Sequence, residues 1–261
     1  MNVPGGAAER AALLRSLHVP GDPLILTNVW DAATARAVAA VPGVRALATA
    51  SHAVAEAHGV EDGEGLTADQ ALEAARIIAG AVELPVSVDF ERGYAADAAG
   101  VHRNVLRLIQ AGAAGLNLED SLPGGMLRPL PEQLERIAAV LAAAEEAGVP
   151  LALNARSDAL LRGGTLAETL ERGNAYLAAG ATSVFIIGLA GADDVREAVT
   201  ALGGPLAVIA RHGFVSLRQL ADLGVARVSV GPGSQAVVLH HLARTAAALT
   251  VRGDYPSELT F

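Results

Sequence analysis

The feature that most constrains this chain is a regular alternation of short apolar runs with longer Ala- and Leu-rich segments of helical periodicity. Eight apolar runs are predicted to be strands: Leu24–Thr27, Ala46–Thr49, Pro85–Asp89, Gly115–Glu119, Leu151–Ala155, Ser183–Ile187, Leu206–Ala210 and Arg227–Val230. Each is followed by a predicted helix, and these helices are Ala32–Ala40, Ala68–Ala81, Ala98–Gln110, Pro131–Ala147, Leu166–Ala179, Ala192–Ala201, Leu217–Asp222 and Ser234–Thr250. Apolar runs with few interruptions are typical of parallel strands that are buried on both faces. Eight βα units in 261 residues predict an α/β fold, a closed (β/α)8 TIM barrel.

The same pattern predicts one domain. The barrel takes in residues 1–261, and residues 1–20 form an N-terminal extension with a predicted helix at Ala7–Leu17. Apolar residues make up 52% of the chain and aromatic residues only 3%, so the core has to be built from Ala, Leu, Val and Ile.

Charge and cysteine content exclude several classes of function. The chain has 19 basic against 28 acidic residues, a formal net charge of −9, and no basic run. This balance disfavours nucleic acid and anionic membrane surfaces as partners. The absence of cysteine excludes disulfides, thiolate metal sites and cysteine nucleophiles. No signal or transit pattern is visible, which makes the cytoplasm the expected location.

Acidic residues are concentrated where predicted strands end. Asp89 and Glu91 follow the third strand, Glu119 ends the fourth, and Asp62 lies in the loop after the second. Chemistry in a (β/α)8 barrel is located at the carboxyl ends of the strands, where these carboxylates are expected to face one another. A hard divalent cation relieves such repulsion, and oxygen-only ligands indicate Mg²⁺, with Mn²⁺ possible. The alternative is that these residues cap helices or pair with surface arginines.

Other candidate site residues have two interpretations each. Arg156, after the fifth strand, either binds a substrate carboxylate or forms a salt bridge to Glu119 or Asp158. Histidines near strand ends are either proton-transfer groups or packing residues, and His212 is favoured because it directly follows a strand. Trp30 either forms part of the pocket wall or only helps to start the first helix.

Four segments in this order are similar to the isocitrate lyase/phosphoenolpyruvate mutase superfamily, and the resemblance covers nearly the whole chain. The segments are Gly59–Glu64, Pro85–Tyr94, Gly115–Asp120 and Asn154–Ala159. The resemblance implies a (β/α)8 barrel whose C-terminal helix is exchanged between subunits of a homodimer or homotetramer. It also implies Mg²⁺-dependent cleavage or formation of C–C or P–C bonds in 2-oxo or 2-hydroxy acids.

The resemblance also implies roles for individual residues. Asp89 would be the direct metal ligand, and Asp62, Glu91 and Glu119 would hold metal-bound waters. The catalytic set is expected to be Arg156, His212 and Glu119, and the substrate-binding set is expected to be Ser51, His52, Trp30, Asn154, Arg156 and Arg211. Ser51 falls in the loop after the second strand, where the family binds carboxylate and oxo oxygens through backbone N–H groups.

The chain departs from the best-known family members after the fourth strand. It carries Asp120–Pro129 where isocitrate lyases have a Lys-, Cys- and His-containing loop and where phosphoenolpyruvate mutases have a Lys and an Asn. Glu91 replaces an Asp, and Arg211 and His212 replace an Asn-containing segment after the seventh strand, which makes them candidates for recognising the distal end of a different substrate. Because the chain contains no cysteine, a lyase with a cysteine acid is excluded.

The sequence leaves three hypotheses for function. The favoured one is a Mg²⁺-dependent lyase or decarboxylase that cleaves a C–C bond of a small 2-oxo or 2-hydroxy (di)carboxylic acid through a stabilised enolate. The second is a phosphonomutase or phosphonopyruvate hydrolase-type enzyme that acts on a P–C bond. The third is a metal-binding barrel without catalytic activity.

Overall fold

The strands form one parallel sheet that closes on itself. A computed structural model describes residues 5–257 and 259. The strands are β1 (Leu24–Leu26), β2 (Asn28–Val29), β3 (Leu47–Thr49), β4 (Val86–Asp89), β5 (Gly115–Glu119), β6 (Ala152–Ser157), β7 (Ser183–Ile186), β8 (Leu206–Ile209) and β9 (Arg227–Ser229). Their order is β1-β9-β8-β7-β6-β5-β4-β3-β2, and every pairing is parallel. Because only Thr27 separates β1 from β2, one interrupted first strand closes the ring. The predicted (β/α)8 barrel is confirmed.

The helices lie between the strands, as predicted. They are α1 (Ala7–Ser16), α2 (Ala32–Ala39), α3 (Ser51–Ala57), α4 (Ala68–Gly80), α5 (Ala98–Gln110), α6 (Leu130–Glu146), α7 (Leu166–Ala178), α8 (Ala192–Ala201), α9 (Leu217–Asp222) and α10 (Gly233–Ala247). Four details differ from the sequence prediction. Helix α3 was not predicted, the first strand is interrupted at Thr27, β6 continues to Ser157, and α10 passes into a π-helical turn at Ala248–Arg252.

Side-chain caps set where several helices begin. Asp31, Thr67 and Asp97 each accept a hydrogen bond from a backbone N–H in the first turn of α2, α4 and α5, respectively. Thr165 and Ser216 do the same for α7 and α9. Because these N–H groups have no partner within their helix, each cap stabilises its helix by about 1 kcal/mol.

The N-terminal extension packs at the amino ends of the strands. Leu14 of α1 is fully buried beside Gly115, the first residue of β5. A Cβ at position 115 would meet Leu14 at 2.8 Å and the Ala152 carbonyl at 2.5 Å, so only glycine fits there. His18, just after α1, is buried next to Arg227 at the start of β9. The site described next lies at the opposite, carboxyl end of the strands.

Candidate active site

A cavity of about 190 Å³ opens at the carboxyl ends of the strands. Its polar wall comes from β3 to β6 and their loops, and its members are Thr49, Ser51, His52, Asp62, Asp89, Asn117 and Arg156. Its remaining lining residues are Asn28, Ala50, Phe185, Ile187, Ile209, Ser229, Gly231 and Pro232. Five of the predicted metal- and substrate-binding side chains therefore line one cavity: Ser51, His52, Asp62, Asp89 and Arg156.

Asp89 is held firmly at the end of β4. Its backbone N–H donates to Thr49 Oγ1 at 2.8 Å, and its Oδ2 accepts from Ser51 N at 3.0 Å and Ser51 Oγ at 2.9 Å. Asn117 Nδ2 donates to Oδ1 at 3.3 Å. Ser51 is the first residue of α3, where its N–H has no partner within the helix, so that N–H is available to a carboxylate. The predicted loop at Ser51 is thus a helix start.

Glu91 lies beside Asp89 in a network of unusual backbone conformations. Glu64, Glu91 and Tyr94 have φ angles of 62°, 45° and 52°, a region that non-glycine residues rarely adopt. Glu91 accepts from Glu64 N and from Tyr94 OH, both at 2.5 Å, and Glu64 accepts from Tyr94 N at 2.8 Å. The three residues therefore hold one another in place.

Burial dominates the ionisation of Glu91. It raises the pKa of this carboxyl to about 7, although the Tyr94 hydroxyl acts in the opposite direction, and the neighbouring Asp89 and Asp62 raise the pKa further.

Glu119 and Arg156 form a buried pair on neighbouring strands. Arg156 Nη1 lies 2.9 Å from Glu119 Oε2, and Arg156 also makes a two-pronged contact with Asp158 at 2.7 and 2.9 Å. The other Glu119 oxygen accepts a short hydrogen bond from Ser121 Oγ. Burial raises the pKa of Glu119, and Arg156 partly offsets this. The salt bridges predicted for Arg156 are confirmed, and because Arg156 also lines the cavity, its binding of a substrate carboxylate stays a prediction.

The acidic residues fit a metal ion that takes most of its ligands from water and substrate. Asp89 and Asp62 line the cavity, while both Glu91 oxygens and both Glu119 oxygens already have partners. Within residues 5–257 and 259, no three Asp, Glu or His side chains are arranged to bind one metal ion. Mg²⁺ is commonly bound by one or two carboxylates and keeps several waters. The donor set is therefore compatible with Mg²⁺ bound by one or two carboxylates of the cavity.

Other predicted site residues lie away from the cavity. Asn154 is buried inside the barrel and donates to Asn117 Oδ1 at 2.8 Å. Trp30 is half-buried against the core, and its backbone N–H donates to Thr34. Arg211 and His212 line a larger groove of about 900 Å³ next to α10, where Arg211 lies 5.0 Å from the Phe214 ring centroid.

His52 is the histidine that lines the cavity. Its Nδ1 lies 3.6 Å from Asp62 Oδ2, and both side chains are about half exposed. His52 shares this cavity with Asp89 and Arg156, whereas His212 lines the groove beside α10.

Sequence reasoning missed several residues that build the site. Asp120, which the sequence placed after the fourth strand without a role, is fully buried and accepts from Ser157, Arg172, Tyr176 and the Asp158 N–H. Its partners lie 37 to 56 positions further along the chain, so no local pattern could reveal them. The apolar residues Phe185, Ile187 and Ile209 were predicted only as strand residues. The sequence signal that could have indicated them is their position in the carboxyl-terminal half of β7 or β8, or directly after β7.

Comparison with known proteins identifies the family. The family model described as phosphoenolpyruvate phosphomutase matches residues 14–250. The chain belongs to the phosphoenolpyruvate phosphomutase family. An oxaloacetate decarboxylase of Pseudomonas entomophila (strain L48) is 30% identical over 223 residues, which cover 81% of this chain and 74% of that protein.

Solved structures of family relatives agree with the fold. A candidate phosphonomutase from Burkholderia cenocepacia J2315 is 40% identical with a TM-score of 0.88, and the match covers 95% of this chain and 100% of that one. A 2,3-dimethylmalate lyase, described as a member of the PEP mutase/isocitrate lyase superfamily, has a TM-score of 0.86, and the match covers 96% of this chain and 91% of that one. At 24% identity, that likeness supports the fold alone. The predicted superfamily is confirmed, and the chain is an enzyme of the lyase and mutase type.

None of the helices within residues 5–257 combines the length and the hydropathy that a membrane span requires.

Proposed function

We propose that this family member is a divalent-metal-dependent lyase or decarboxylase that cleaves a C–C bond in a small 2-oxo or 2-hydroxy acid. The observation that carries the proposal is the Asp89 carboxylate, fixed by Ser51 in a cavity that also contains Arg156. The 30% identical relative is named an oxaloacetate decarboxylase, which supports a 2-oxo acid as the substrate class.

The residue content supports an enolate stabilised by a metal ion. The 261 residues contain neither lysine nor cysteine, so a Schiff base with the substrate and a thiol acid have no side chain to form them. A Mg²⁺ or Mn²⁺ ion held by Asp89, with Asp62, Glu91 and Glu119 around its waters, would act as a Lewis acid toward the developing negative charge.

Arg156 and His52 have separate tasks in this proposal. Arg156 binds the substrate carboxylate, and its orientation is fixed in advance by Asp158 and Glu119. His52 is the proton-transfer group for the reacting carbon of the substrate, because it lines the cavity and its Nδ1 lies near Asp62.

The test is a substrate panel with and without metal. Oxaloacetate, 2-methylmalate and phosphonopyruvate are assayed for pyruvate release in Mg²⁺, in Mn²⁺ and after treatment with a chelator. We expect turnover of at least one C–C substrate that the chelator abolishes.

The Asp89→Asn variant, which keeps the size of the side chain, should lose at least about 100-fold in kcat/KM, a loss of roughly 2.7 kcal/mol of transition-state stabilisation.

The matched control is Asp193→Asn, since Asp193 is exposed and pairs only with Arg196 in the first turn of α8. This variant should retain full activity. Undiminished turnover in Asp89→Asn would show that the metal assignment is wrong, and no turnover of any C–C substrate would contradict the lyase proposal.

A phosphonomutase is the second candidate. It is favoured by the family model and by the 40% identical relative, although the loop at Asp120–Pro129 lacks the Lys and Asn that we associate with mutases. Conversion of phosphonopyruvate to phosphoenolpyruvate, followed by ³¹P NMR, would decide for this candidate.

We also infer that the protein is a homo-oligomer in which a second copy covers α10. Gln235 is the one buried residue of the 15 in this helix, and its apolar residues Val237, Val238 and Leu242 are exposed. The groove of about 900 Å³ beside α10 is also mainly apolar, with Phe214, Val215 and Leu217 in its wall. A helix exchanged between subunits, which the family resemblance implies, would cover both surfaces.

A further inference from the structure

A second polar cavity, of about 450 Å³, is lined by the loops that follow β4 and β5. We call it the arginine pocket, and most of its wall is formed by Arg92, Ala95, Ala96, Leu122, Pro123 and Arg128. In the described part of the chain, the arginine pocket and the Asp89 cavity have no lining residue in common. A ligand in the arginine pocket would therefore be an additional molecule beside the substrate.

Buried polar atoms without a partner are concentrated at this pocket. Across residues 5–257 and 259, four buried side-chain atoms have no hydrogen-bond partner in the protein: Arg128 Nε, Gln133 Oε1, Arg136 Nε and Arg136 Nη1. Arg128 is a wall residue, while Gln133 and Arg136 lie three positions apart on one face of α6. Arg136 Nη2 donates to the carbonyls of two further wall residues, Arg92 and Ala95. The unpaired atoms thus belong to the pocket wall and to the residues directly behind it.

Positive charge exceeds negative charge around the pocket. The charge of Arg92 is balanced by Glu64, whose Oε2 lies 3.2 Å from Arg92 Nε and 3.1 Å from Arg92 Nη2. Arg128 and Arg136 are 7% and 2% exposed, and Arg128 has a single 3.5 Å contact with the exposed Glu132 among the described residues.

The two buried guanidinium groups also act on each other. Burial, and then the charge of Arg128, lower the pKa of Arg136 to about 10, although Glu64 and Glu132 act in the opposite direction. Both arginines are therefore protonated at neutral pH. Buried cations without a close carboxylate are strongly unfavourable, and an anion bound between them would compensate their charge.

The unpaired donors and the unpaired acceptor together fit one class of anion. The nitrogens of Arg128 and Arg136 can only donate, whereas Gln133 Oε1 can only accept. Gln133 Nε2 donates to the Glu119 carbonyl at 3.3 Å, which fixes the amide so that Oε1 is the unpaired atom. A phosphate group with one proton has oxygens that accept from several N–H groups and an O–H that donates. A carboxylate at neutral pH has no O–H to offer to Gln133.

We propose that the arginine pocket binds a singly protonated phosphate group, with Arg128 and Arg136 as its cationic partners and Gln133 Oε1 as the acceptor of its O–H. The group is carried by inorganic phosphate or by a small phosphate ester, since the volume of about 450 Å³ leaves room for an organic substituent. Charge-assisted hydrogen bonds between arginine and phosphate are among the strong ones in proteins.

The test is titration calorimetry of the full chain at pH 7 in buffer without divalent metal, so that no metal ion binds the phosphate. The ligands are inorganic phosphate, glycerol 3-phosphate, glycerol and sulfate. We expect saturable binding of inorganic phosphate or of glycerol 3-phosphate, which identifies the source of the group, and no binding of glycerol. Sulfate has the same tetrahedral shape but no O–H, and it should bind at least tenfold more weakly because it leaves Gln133 Oε1 unpaired.

Variants locate the bound phosphate. Arg128→Gln removes one of the two charges and should weaken binding at least tenfold. Gln133→Met removes the acceptor and should bring the affinities for phosphate and sulfate within about threefold of each other. Arg76→Gln is the matched control, since Arg76 is an exposed residue of α4 that pairs with Glu73, and its affinity for phosphate should equal that of wild type.

Thermal unfolding without phosphate shows whether each variant is folded. If Arg128→Gln does not fold, Arg128→Lys decides, because it keeps the charge but lacks the Nε donor and should weaken binding at least threefold. Binding that is lost in Arg156→Lys and kept in Arg128→Gln would place the phosphate in the Asp89 cavity and overturn the proposal. The absence of saturable binding of both phosphate compounds at millimolar concentrations would also overturn it. Equal affinities of wild type for phosphate and sulfate would contradict the role of Gln133 and thus the protonated phosphate group.

Discussion

Glu64, Glu91 and Tyr94 have positive φ angles, and all three belong to one hydrogen-bonded network. Such conformations cost roughly 1–3 kcal/mol each and persist only where surrounding contacts enforce them. Here the contacts are the hydrogen bonds that the three residues make with one another. The sequence predicted Glu91 as a metal-site residue, but the backbone conformation of Tyr94 could not be predicted, because its N–H pairs with Glu64, about 30 positions away.

Tyr94→Phe tests the contribution of this network. The change removes the hydroxyl that donates to Glu91, which is only 3% exposed, and leaves a buried carboxylate oxygen without its donor. We expect the free energy of unfolding, measured with urea, to fall by about 1–3 kcal/mol. Tyr255→Phe is the control, because Tyr255 is 84% exposed and its change should stay within about 0.5 kcal/mol. Equal stability of the two variants would contradict the structural role of the Tyr94 hydroxyl.

At the scale of elements, the N-terminal helix and the residues after it close the amino end of the barrel. His18 is buried, and its Nδ1 lies 2.8 Å from the Leu14 carbonyl. Its Nε2 lies 3.4 Å from Arg227 Nη1, and Arg15 is a further positive charge nearby. Burial, and then the charge of Arg227, lower the pKa of His18 from 6.5 to about 4. His18 is therefore neutral in the folded protein at neutral pH.

This pKa shift makes stability depend on pH. Between pH 6.5 and about 4 the unfolded chain binds a proton at His18 that the folded chain does not, so unfolding becomes easier as the pH falls. In this window the free energy of unfolding falls by up to about 1.4 kcal/mol for each pH unit by which the pH is lowered. Above pH 6.5 His18 no longer makes the free energy of unfolding depend on pH.

The measurement compares wild type with His18→Gln in urea at several pH values. The difference between the two free energies of unfolding removes the effect of other groups, such as Glu91, whose pKa is raised. We expect this difference to change with pH between 4 and 6.5 and to be constant above that range. His58→Gln, a change at the exposed residue that directly follows α3, is the matched control. A difference that does not vary with pH would contradict the buried position of His18.

Secondary-structure elements were largely predictable from the sequence because their signals are local. Apolar runs of strand length, helical periodicity and capping residues such as Thr67 and Thr165 lie within a few positions of the element that they define. Helix α3 was missed because seven residues, Ser51–Ala57, are too few to show a period. The interruption at Thr27 was missed because the two halves of the first strand pair with strands at opposite ends of the chain.

At the scale of the whole molecule, α10 leaves apolar side chains uncovered. Helix α5 buries five of its residues, whereas α10 buries one and exposes Val237, Val238 and Leu242. Contiguous exposed apolar surface on a folded protein commonly marks a contact with another chain. A symmetric assembly of identical subunits is the expected solution.

We expect the protein to run as a dimer or tetramer in size-exclusion chromatography with light scattering. Leu242→Asp, which places a charge on the 62% exposed apolar position of α10, should shift the mass toward the monomer. Ile77→Asp, on the exposed face of α4, should leave the mass unchanged. A monomeric wild-type protein at micromolar concentration would contradict the inferred oligomer.

The sequence by itself determined the (β/α)8 barrel, the acidic strand ends and the family, because periodicity and short motifs are written in neighbouring residues. Tertiary structure alone decided which side chains share a cavity. Strand register places Arg156 beside both Glu119 and Phe185, buries Asp120 under Arg172 and Tyr176, and turns Asn154 into the barrel interior. These contacts join residues far apart in the chain, so only the closed sheet brings the charged and apolar walls of the cavity face to face.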